Sequence, residues 1–389
     1  MDPLIIAAAV VLAFWSAIWL AKQFLPKAFD VKPFLIMWKT TRFNDVIDRL
    51  GTRLKRLWKI LWTLGAAICV GGSIFIFYFL LKNMVALFIE PGEASPVSLI
   101  IPGITLSLNF NTILFFSISI AIILVFHELS HGVAARAEGI KVKSTGLLLL
   151  AIIPGAFVEP DEEDLKKAKK SSQARVYAAG STANILTALV VLVLLTNPMA
   201  VISPLYETES TGIQVTEVIK GTPAEGSLRA WDVILRINGT PVNSSESLSR
   251  LLSGIAPNST VQIELIRGGL PIAINLTLGK HPSLNSSYIG ITSYPYFAPK
   301  NPIAPANLPF YLFGQLNWLY LLSLNIGLIN MMPITAFDGE KLIGILLRFL
   351  IKDEKKAAAV SRALGVACIG ILFLNVSLSF ILFPSFRLG

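Results

Sequence analysis

The sequence predicts a polytopic α-helical membrane protein of about six transmembrane helices, with an α/β domain inserted between two of them. Of its 389 residues, 54% are hydrophobic, and the mean hydropathy of +0.67 is typical of a membrane protein. Apolar stretches long enough to span a bilayer recur along the chain, and one polar, turn-rich segment interrupts them. The apolar stretches lie at 4–21, 58–88, 111–139, 174–196, 308–334 and 357–384, and the polar segment lies at 200–305.

The distribution of charge predicts how the chain crosses the cell membrane. Residues 22–57 contain nine Lys and Arg but only three Asp, and the positive-inside rule places such a loop in the cytoplasm. Alternation of the spans then makes the 200–305 segment extracytoplasmic. Because basic loops beside apolar spans account for the net charge of +9, we expect no nucleic-acid partner. Apolar residues at helical spacing within 43–57 indicate an amphipathic helix lying on the membrane surface.

The third apolar stretch ends in the motif His127-Glu128-Leu129-Ser130-His131. On a helix, His127 and His131 share a face, so both imidazoles can bind one metal ion. Glu128 lies next to that face, where its carboxylate can hold a water molecule without being a ligand. Ionisable groups in a membrane span are costly unless they have partners, so this motif indicates a functional site near the cytoplasmic end of the span.

Two histidines do not complete a catalytic zinc site, which needs a third protein ligand. Asp338 is the best candidate because it follows the 308–334 span, which runs parallel to the histidine span and reaches the same depth. Gly339 allows a close turn that could aim the carboxylate inward. The alternative is that Asp338 only caps the helix that follows it.

Two segments are expected to contribute to the surroundings of this site. Residues 146–156 are apolar, broken by Pro154-Gly155 and too short to cross the bilayer, which favours a re-entrant hairpin or an edge strand against a wet cavity. Asn184 lies in a stripe of small residues in the 174–196 span. Its amide either bonds to the histidine helix or a ligand, or stabilises helix packing.

The polar segment has the alternation of a small sheet domain. Its strands are predicted at 212–218, 231–237, 260–266 and 272–278, with a short helix at 245–252. Asn238-Gly239 predicts a tight turn after the second strand.

Four motifs occur in the order found in one known family. They are FHELSHG at 126–132, GAFVEPDE at 155–162, AAGSTAN at 178–184 and NMMPITAFDG at 330–339. Together they resemble the site-2 protease family of intramembrane zinc metalloproteases, most closely its prokaryotic, archaeal-type branch. The inserted domain resembles a PDZ domain at residues 221–225 and 232–239.

This resemblance implies a set of site residues and an activity. One Zn²⁺ per chain is expected on His127, His131 and Asp338, with Glu128 as the catalytic base and Asn330 holding the substrate or the oxyanion. The implied reaction is peptide-bond hydrolysis within or near transmembrane segments of membrane proteins, as in regulated intramembrane proteolysis. Trp231 stands where such PDZ domains usually have Gly, so we expect a rearranged loop there.

The expected organisation has four parts. Residues 1–90 form an accessory transmembrane hairpin with a basic cytoplasmic loop, 97–200 and 306–389 form the two halves of a protease core, and 205–290 form a PDZ-like domain. The expected partners are transmembrane protein substrates and the lipid bilayer, and the oligomeric state stays open. The main alternative is a non-proteolytic, membrane-tethered PDZ scaffold with a vestigial metal site. A zinc transporter, or a different membrane zinc protease with a later Glu or His ligand, would need metal-binding residues in other places.

Overall fold

The computed structural model describes residues 3–100, 105–106, 109–150, 153–282 and 286–383. Apolar and polar residues alternate at 104–110, a pattern that favours a strand. Residues 104, 107 and 108 of this segment lie outside the described residues, and Phe110 begins the helix Phe110–Ala137. The chain divides into two compact units. We call Met1–Leu192 with Asn317–Gly389 the membrane unit, and Val193–Leu316 the inserted unit.

Eleven α-helices occur in the described part of the chain. They are α1 (Pro3–Ala21), α2 (Asn44–Arg53), α3 (Lys55–Ile89), α4 (Phe110–Ala137), α5 (Glu162–Lys167), α6 (Lys170–Thr196), α7 (Pro198–Ile202), α8 (Ser245–Ser253), α9 (Leu308–Asn330), α10 (Asp338–Leu350) and α11 (Glu354–Leu382).

Twelve strands occur in the same residues. They are β1 (Phe29–Lys32), β2 (Leu35–Thr40), β3 (Val142–Leu150), β4 (Ile153–Pro160), β5 (Tyr206–Val218), β6 (Val233–Ile237), β7 (Thr240–Pro241), β8 (Thr260–Arg267), β9 (Leu270–Thr277), β10 (Gly279–Lys280), β11 (Ser287–Tyr288) and β12 (Ile291–Pro299).

Five of the described helices are long and apolar enough to cross a membrane: α3, α4, α6, α9 and α11. A shorter apolar helical stretch, Val11–Phe24, overlaps α1. With the inserted sheet unit, these helices confirm the predicted fold class of a helical membrane protein that carries an α/β domain. No bounds were predicted for the helix that follows Asp338. This helix is α10, and it begins at Asp338 itself.

The basic loop at 22–57 differs from its prediction. We expected one surface helix over 43–57, but α2 ends at Arg53 and α3 starts at Lys55. Before α2, β1 and β2 form a hairpin, and β2 pairs with β3 in a four-stranded sheet of order β1-β2-β3-β4. This pairing joins segments about a hundred residues apart, so local periodicity could not indicate it.

The segment 146–156, for which the sequence favoured a re-entrant hairpin or an edge strand, contributes to two strands, and its residues 151–152 lie outside the described residues. β3 and β4 pair antiparallel, and β4 is the edge strand of the sheet. Gly146 is required by close approach, because a Cβ there would collide with the Trp38 carbonyl of β2. Ile47 of α2 and Val158 of β4 both pack over Gly132, so α2 and β4 enclose α4 next to His131.

A buried ion network ties α3, α4 and α6 together at one end. The Glu138 side chain is only 4% exposed, and Arg175 donates to its carboxylate through Nε at 2.8 Å and Nη2 at 3.1 Å. Ser172 Oγ donates at 2.6 Å, and Lys59 Nζ lies 3.5 Å away. Burial alone would raise the pKa of Glu138, but these hydrogen bonds and positive charges outweigh it and hold the pKa below its usual value of 4.5.

The inserted unit is a sheet of order β12-β5-β6-β8-β9, with β7 paired to β6. The four predicted strands correspond to β5, β6, β8 and β9, and the predicted helix corresponds to α8. Asn238 and Gly239 both have positive φ, as a tight turn between β6 and β7 requires. The core consists of alternating apolar residues of the strands, among them Ile213, Val215, Ile234, Ile237, Val261, Ile263 and Leu265. The prediction omitted β12, whose aromatic and proline residues obscure the alternation.

The backbone of Trp231 has a conformation that is typical of glycine. Its φ is +73°, in the left-handed region that favours glycine. Its indole ring lies 5.6 Å from the ring of Phe310 and 5.5 Å from that of Tyr311, both in the first turn of α9. Aromatic packing within the inserted unit therefore accompanies the strained backbone.

Candidate metal centre

The two motif histidines lie one turn apart on α4 and face the same way. His127 is buried, and His131 is partly buried. Their Nε2 atoms are 3.2 Å apart, as the i, i+4 spacing on a helix allows. The helix thus presents two imidazole nitrogens to a single point.

Asp338 reaches the same point from another part of the chain. Its Oδ2 lies 3.2 Å from Nε2 of His127 and 3.2 Å from Nε2 of His131. The approach depends on Gly339, because a Cβ there would collide with the carbonyl of Met331. Ser73 Oγ of α3 donates to that same carbonyl and so holds the turn in place.

Hydrogen bonds on the far side of each ring orient the histidines. His131 Nδ1 donates to the Val176 carbonyl at 2.7 Å, so its Nε2 is free to accept or to bind a metal. His127 Nδ1 lies 3.1 Å from the amide nitrogen of Asn184. Within the described residues, Asn184 Oδ1 is buried without a hydrogen-bond partner. Rotating this amide by 180° would let Oδ1 accept from His127 Nδ1, which is the usual support of a metal-binding histidine.

Gly180 of α6 makes room for both imidazole rings. A Cβ at this position would collide with Nε2 of His127 and with Nε2 of His131. Small residues in a membrane span usually indicate helix packing, so the role of Gly180 at the site could not be predicted from the sequence. Val176 could not be predicted either, because it acts through a backbone carbonyl that no residue type can indicate.

The donor set fits a tetrahedral metal ion. Bonds of about 2.0–2.1 Å at tetrahedral angles place ligand atoms about 3.3 Å apart, close to the three observed separations of 3.2 Å. Asp338 Oδ2 is buried, and among the described residues it has no hydrogen-bond donor. Two imidazole nitrogens and one carboxylate oxygen that converge on one point form a ligand set that a metal cation would complete.

Glu128 lies beside these atoms and is held by the edge strand. Its Oε2 accepts a hydrogen bond of 3.1 Å from the backbone N–H of Val158 in β4. Its other oxygen is available to a water molecule or a substrate. A carboxylate fixed next to a metal position can act as a general base.

All five predicted site residues line one cavity of the membrane unit, which has a volume of about 770 Å³. His127, Glu128, His131 and Asp338 line it together with Asn330, the last residue of α9. Charged side chains from other elements line the remainder, including Asp30, Lys32, Lys39, Glu162 and Lys341. The cavity is therefore polar, although the segments around the histidines are apolar.

Comparison with known proteins agrees with this arrangement. The family model for peptidase family M50 matches residues 115–374. An uncharacterised protein of Methanocaldococcus jannaschii is 28% identical over 75% of this chain and 72% of its own length. A membrane-bound transcription factor site-2 protease homolog of Arabidopsis thaliana is 29% identical over 53% of this chain, which spans 40% of that relative. A solved PDZ domain of an SdrC-like protein from Listeria monocytogenes is 25% identical over 22% of the chain and 92% of that domain, with a TM-score of 0.21.

The helical membrane fold, the His-His-Asp centre and the family match together support the class of membrane metallopeptidases. Within that class, the chain belongs to peptidase family M50. This confirms the resemblance to site-2 proteases noted from the four motifs.

Proposed function

We propose that the protein is an intramembrane zinc metalloendopeptidase that hydrolyses peptide bonds within or near transmembrane segments of membrane proteins, as in regulated intramembrane proteolysis. It would hold one Zn²⁺ per chain on His127, His131 and Asp338. The observation that carries the proposal is the convergence of these three ligand atoms at 3.2 Å beside Glu128. The two histidines and Glu128 lie on α4, which is long and apolar enough to cross a membrane.

The chemistry divides between the metal and the side chains of the cavity. Zinc, when bound, acts as a Lewis acid that lowers the pKa of water toward neutrality. Glu128 takes a proton from the attacking water and delivers it to the nitrogen of the leaving amine. Asn330 donates a hydrogen bond from its amide to the oxygen of the scissile carbonyl, where negative charge develops.

The edge of β4 suits an unwound substrate segment. In an antiparallel pair, alternate residues turn their N–H and C=O groups away from the partner strand. Val158 is such a residue, and its N–H is occupied by Glu128. Ala156 has the same alternation, so its N–H and C=O groups face the edge as well. An extended segment could pair with this edge, which would replace the backbone hydrogen bonds that a transmembrane helix loses on unwinding.

We place the metal centre on the cytoplasmic side of the cell membrane and the PDZ-like domain outside. The support for this orientation is the basic 22–57 loop and the alternation of the spans. In this position the PDZ-like domain would screen substrates before they reach the membrane unit.

The test is Glu128→Gln, compared with Glu163→Gln. Glu163 is an exposed residue of α5 paired with Lys167, so its substitution makes the same chemical change away from the cavity. We expect Glu128→Gln to retain about one zinc per chain while cleavage of a membrane-protein substrate falls about 10²–10⁴-fold. Glu163→Gln should keep both zinc and activity.

An active Glu128→Gln protein would contradict the assignment of the base. A wild-type chain that neither binds zinc nor cleaves would instead favour the PDZ scaffold. Zinc content and cleavage are measured on the same preparations, so loss of the site and loss of the base are distinguishable.

A further inference from the structure

A second cavity of the membrane unit lies beside the metal cavity and has a different chemistry. Its volume is about 390 Å³, and it is enclosed by the first two turns of α6, by α10 and by the start of α11. Three basic side chains and one acidic side chain line it: Lys341, Arg348, Arg362 and Glu340. The cavity therefore has a positive balance of charge.

The basic side chains are not neutralised by the protein. The Lys341 ammonium lies 5.3 Å over the ring of Tyr177, and Arg362 Nε donates to the Ala358 carbonyl at 3.4 Å. Across the described residues, none of the three cations forms an ion pair with a carboxylate. Arg348 and Arg362 are both exposed, so their guanidinium groups remain available. Two guanidinium groups facing one cavity are suited to a phosphate group, which they can bind through paired hydrogen bonds.

The position of the cavity specifies the source of that phosphate. Helices α6 and α11 are candidate membrane spans, and the cavity is formed by their first turns, which places it at the level of the membrane surface. On α10, Phe349 and Leu350 directly follow Arg348 and are 68% and 73% exposed. Apolar side chains next to a cationic cavity are suited to an amphiphile. Its acyl chains would cover the apolar side chains, and its headgroup would fill the cavity. A free phosphate ion would use the cations alone.

We propose that this cavity binds the phosphate of an anionic membrane lipid, with Arg348 and Arg362 as its principal ligands and Lys341 at its inner wall. Lys341 and Tyr177 also line the metal cavity, so the lipid headgroup would lie directly behind the wall of the active site. The site requires no metal ion and does not depend on the proposed peptidase reaction.

The experiment uses the full chain in nanodiscs of phosphatidylcholine, with and without phosphatidylglycerol, and counts lipids retained on the protein by native mass spectrometry. The variant Arg348→Gln with Arg362→Gln is compared with Lys355→Gln and Lys356→Gln. The lysine pair lies at the same end of α11, removes the same charge and does not line the cavity. We expect wild type to retain phosphatidylglycerol selectively and the arginine pair to weaken retention about fivefold per arginine. The lysine pair should retain it as wild type does.

Equal losses in both pairs would overturn the proposal, because they would indicate general attraction to a charged surface. The same holds if wild type does not distinguish the two lipids. In a third arm, inorganic phosphate is added to detergent-purified protein. A phosphate-ion site would instead be shown by three results together. Inorganic phosphate would bind wild type in the absence of lipid, would not bind the arginine pair, and would not be displaced by phosphatidylglycerol. Each single arginine variant is also measured, so that a folding defect in the double variant does not decide the outcome.

Discussion

Two aspartates, one in each unit, have opposite surroundings. Asp232 in the inserted unit is 2% exposed, and Arg267 donates to both of its oxygens at 2.9 and 2.6 Å. The backbone N–H of Arg229 donates to the same carboxylate at 2.8 Å. Asp338 in the membrane unit instead faces two imidazole nitrogens, and the structure supplies no hydrogen-bond donor to its Oδ2 from the described residues.

The difference separates a structural carboxylate from a ligand. A buried charge is tolerated when a cation and hydrogen bonds satisfy it, and Asp232 meets both conditions within the fold. Asp338 has no Lys or Arg partner among the described residues, and its Oδ2 faces only the two imidazole nitrogens, so a metal ion at the point where the three atoms converge would satisfy it. The same residue type therefore stabilises one unit, while in the other it forms a site that the protein alone leaves incomplete.

The largest effect is expected from Asp338→Ala. Removing the third ligand should reduce zinc from about one per chain to almost none and lower cleavage by at least about 10³-fold. Zinc should raise the melting temperature of wild type, because it binds only the folded state, and should leave that of Asp338→Ala almost unchanged. Zinc content and thermal unfolding with and without chelator test both statements. Retention of zinc in this variant would mean that the third ligand is another residue.

Asp232→Ala should affect stability and not zinc binding, which is the reverse of the result expected for Asp338→Ala. Removing one partner of a buried ion pair leaves Arg267 uncompensated and should destabilise the inserted unit by about 3–5 kcal/mol. Zinc content should not change. Hydrogen exchange of the β6 and β8 amides in the full chain measures the loss. The matched control is Glu264→Ala, because Glu264 pairs with Arg236 at 3.9 Å on the surface, where a salt bridge contributes about 0–1 kcal/mol. Equal effects of the two variants would remove the distinction between the sites.

Glu138→Gln tests a second satisfied carboxylate, this time in the membrane unit. Loss of the charged hydrogen bonds from Arg175 should cost about 1.5–3 kcal/mol of stability. Because the folded-state pKa lies below 4.5, this stabilisation is fully present above pH 4.5 and is lost as pH falls through the folded pKa. The difference in unfolding free energy between wild type and variant should therefore shrink on acidification. A difference that does not vary with pH would show that the carboxylate's charge is not what stabilises this end of the helices.

Elements that depend on residues close together in the sequence could be predicted from the sequence alone. The spans, the strands β5, β6, β8 and β9 of the inserted unit and the shared face of His127 and His131 all follow from periodicity and spacing. The pairing of β2 with β3 could not be predicted, because it depends on chain segments that only the fold brings together. The role of the Val176 carbonyl could not be predicted either, since every residue carries a carbonyl group. Trp231 was predicted to rearrange its loop, but local packing against Phe310 and Tyr311 accompanies the strained φ.

Asn184 is the residue for which the sequence left two alternatives of equal weight, and it extends the comparison from carboxylates to amides. Both Asn184 and Asn375 are buried in membrane helices. Asn375 donates to the Leu80 carbonyl and accepts from Asn83, so its amide joins α11 to α3. Asn184 contacts His127 instead.

Asn184→Ala should weaken zinc affinity about 10–100-fold, because the group behind a metal-binding histidine sets its tautomer and orientation. Asn375→Ala should leave zinc affinity unchanged and destabilise the helix packing by about 0.6–1.7 kcal/mol. Zinc affinity measured by competition with a chelator, together with thermal unfolding, separates the two effects. If Asn184→Ala lowers stability but binds zinc as tightly as wild type, then its amide stabilises packing between α4 and α6, and His127 does not need this support to bind the metal.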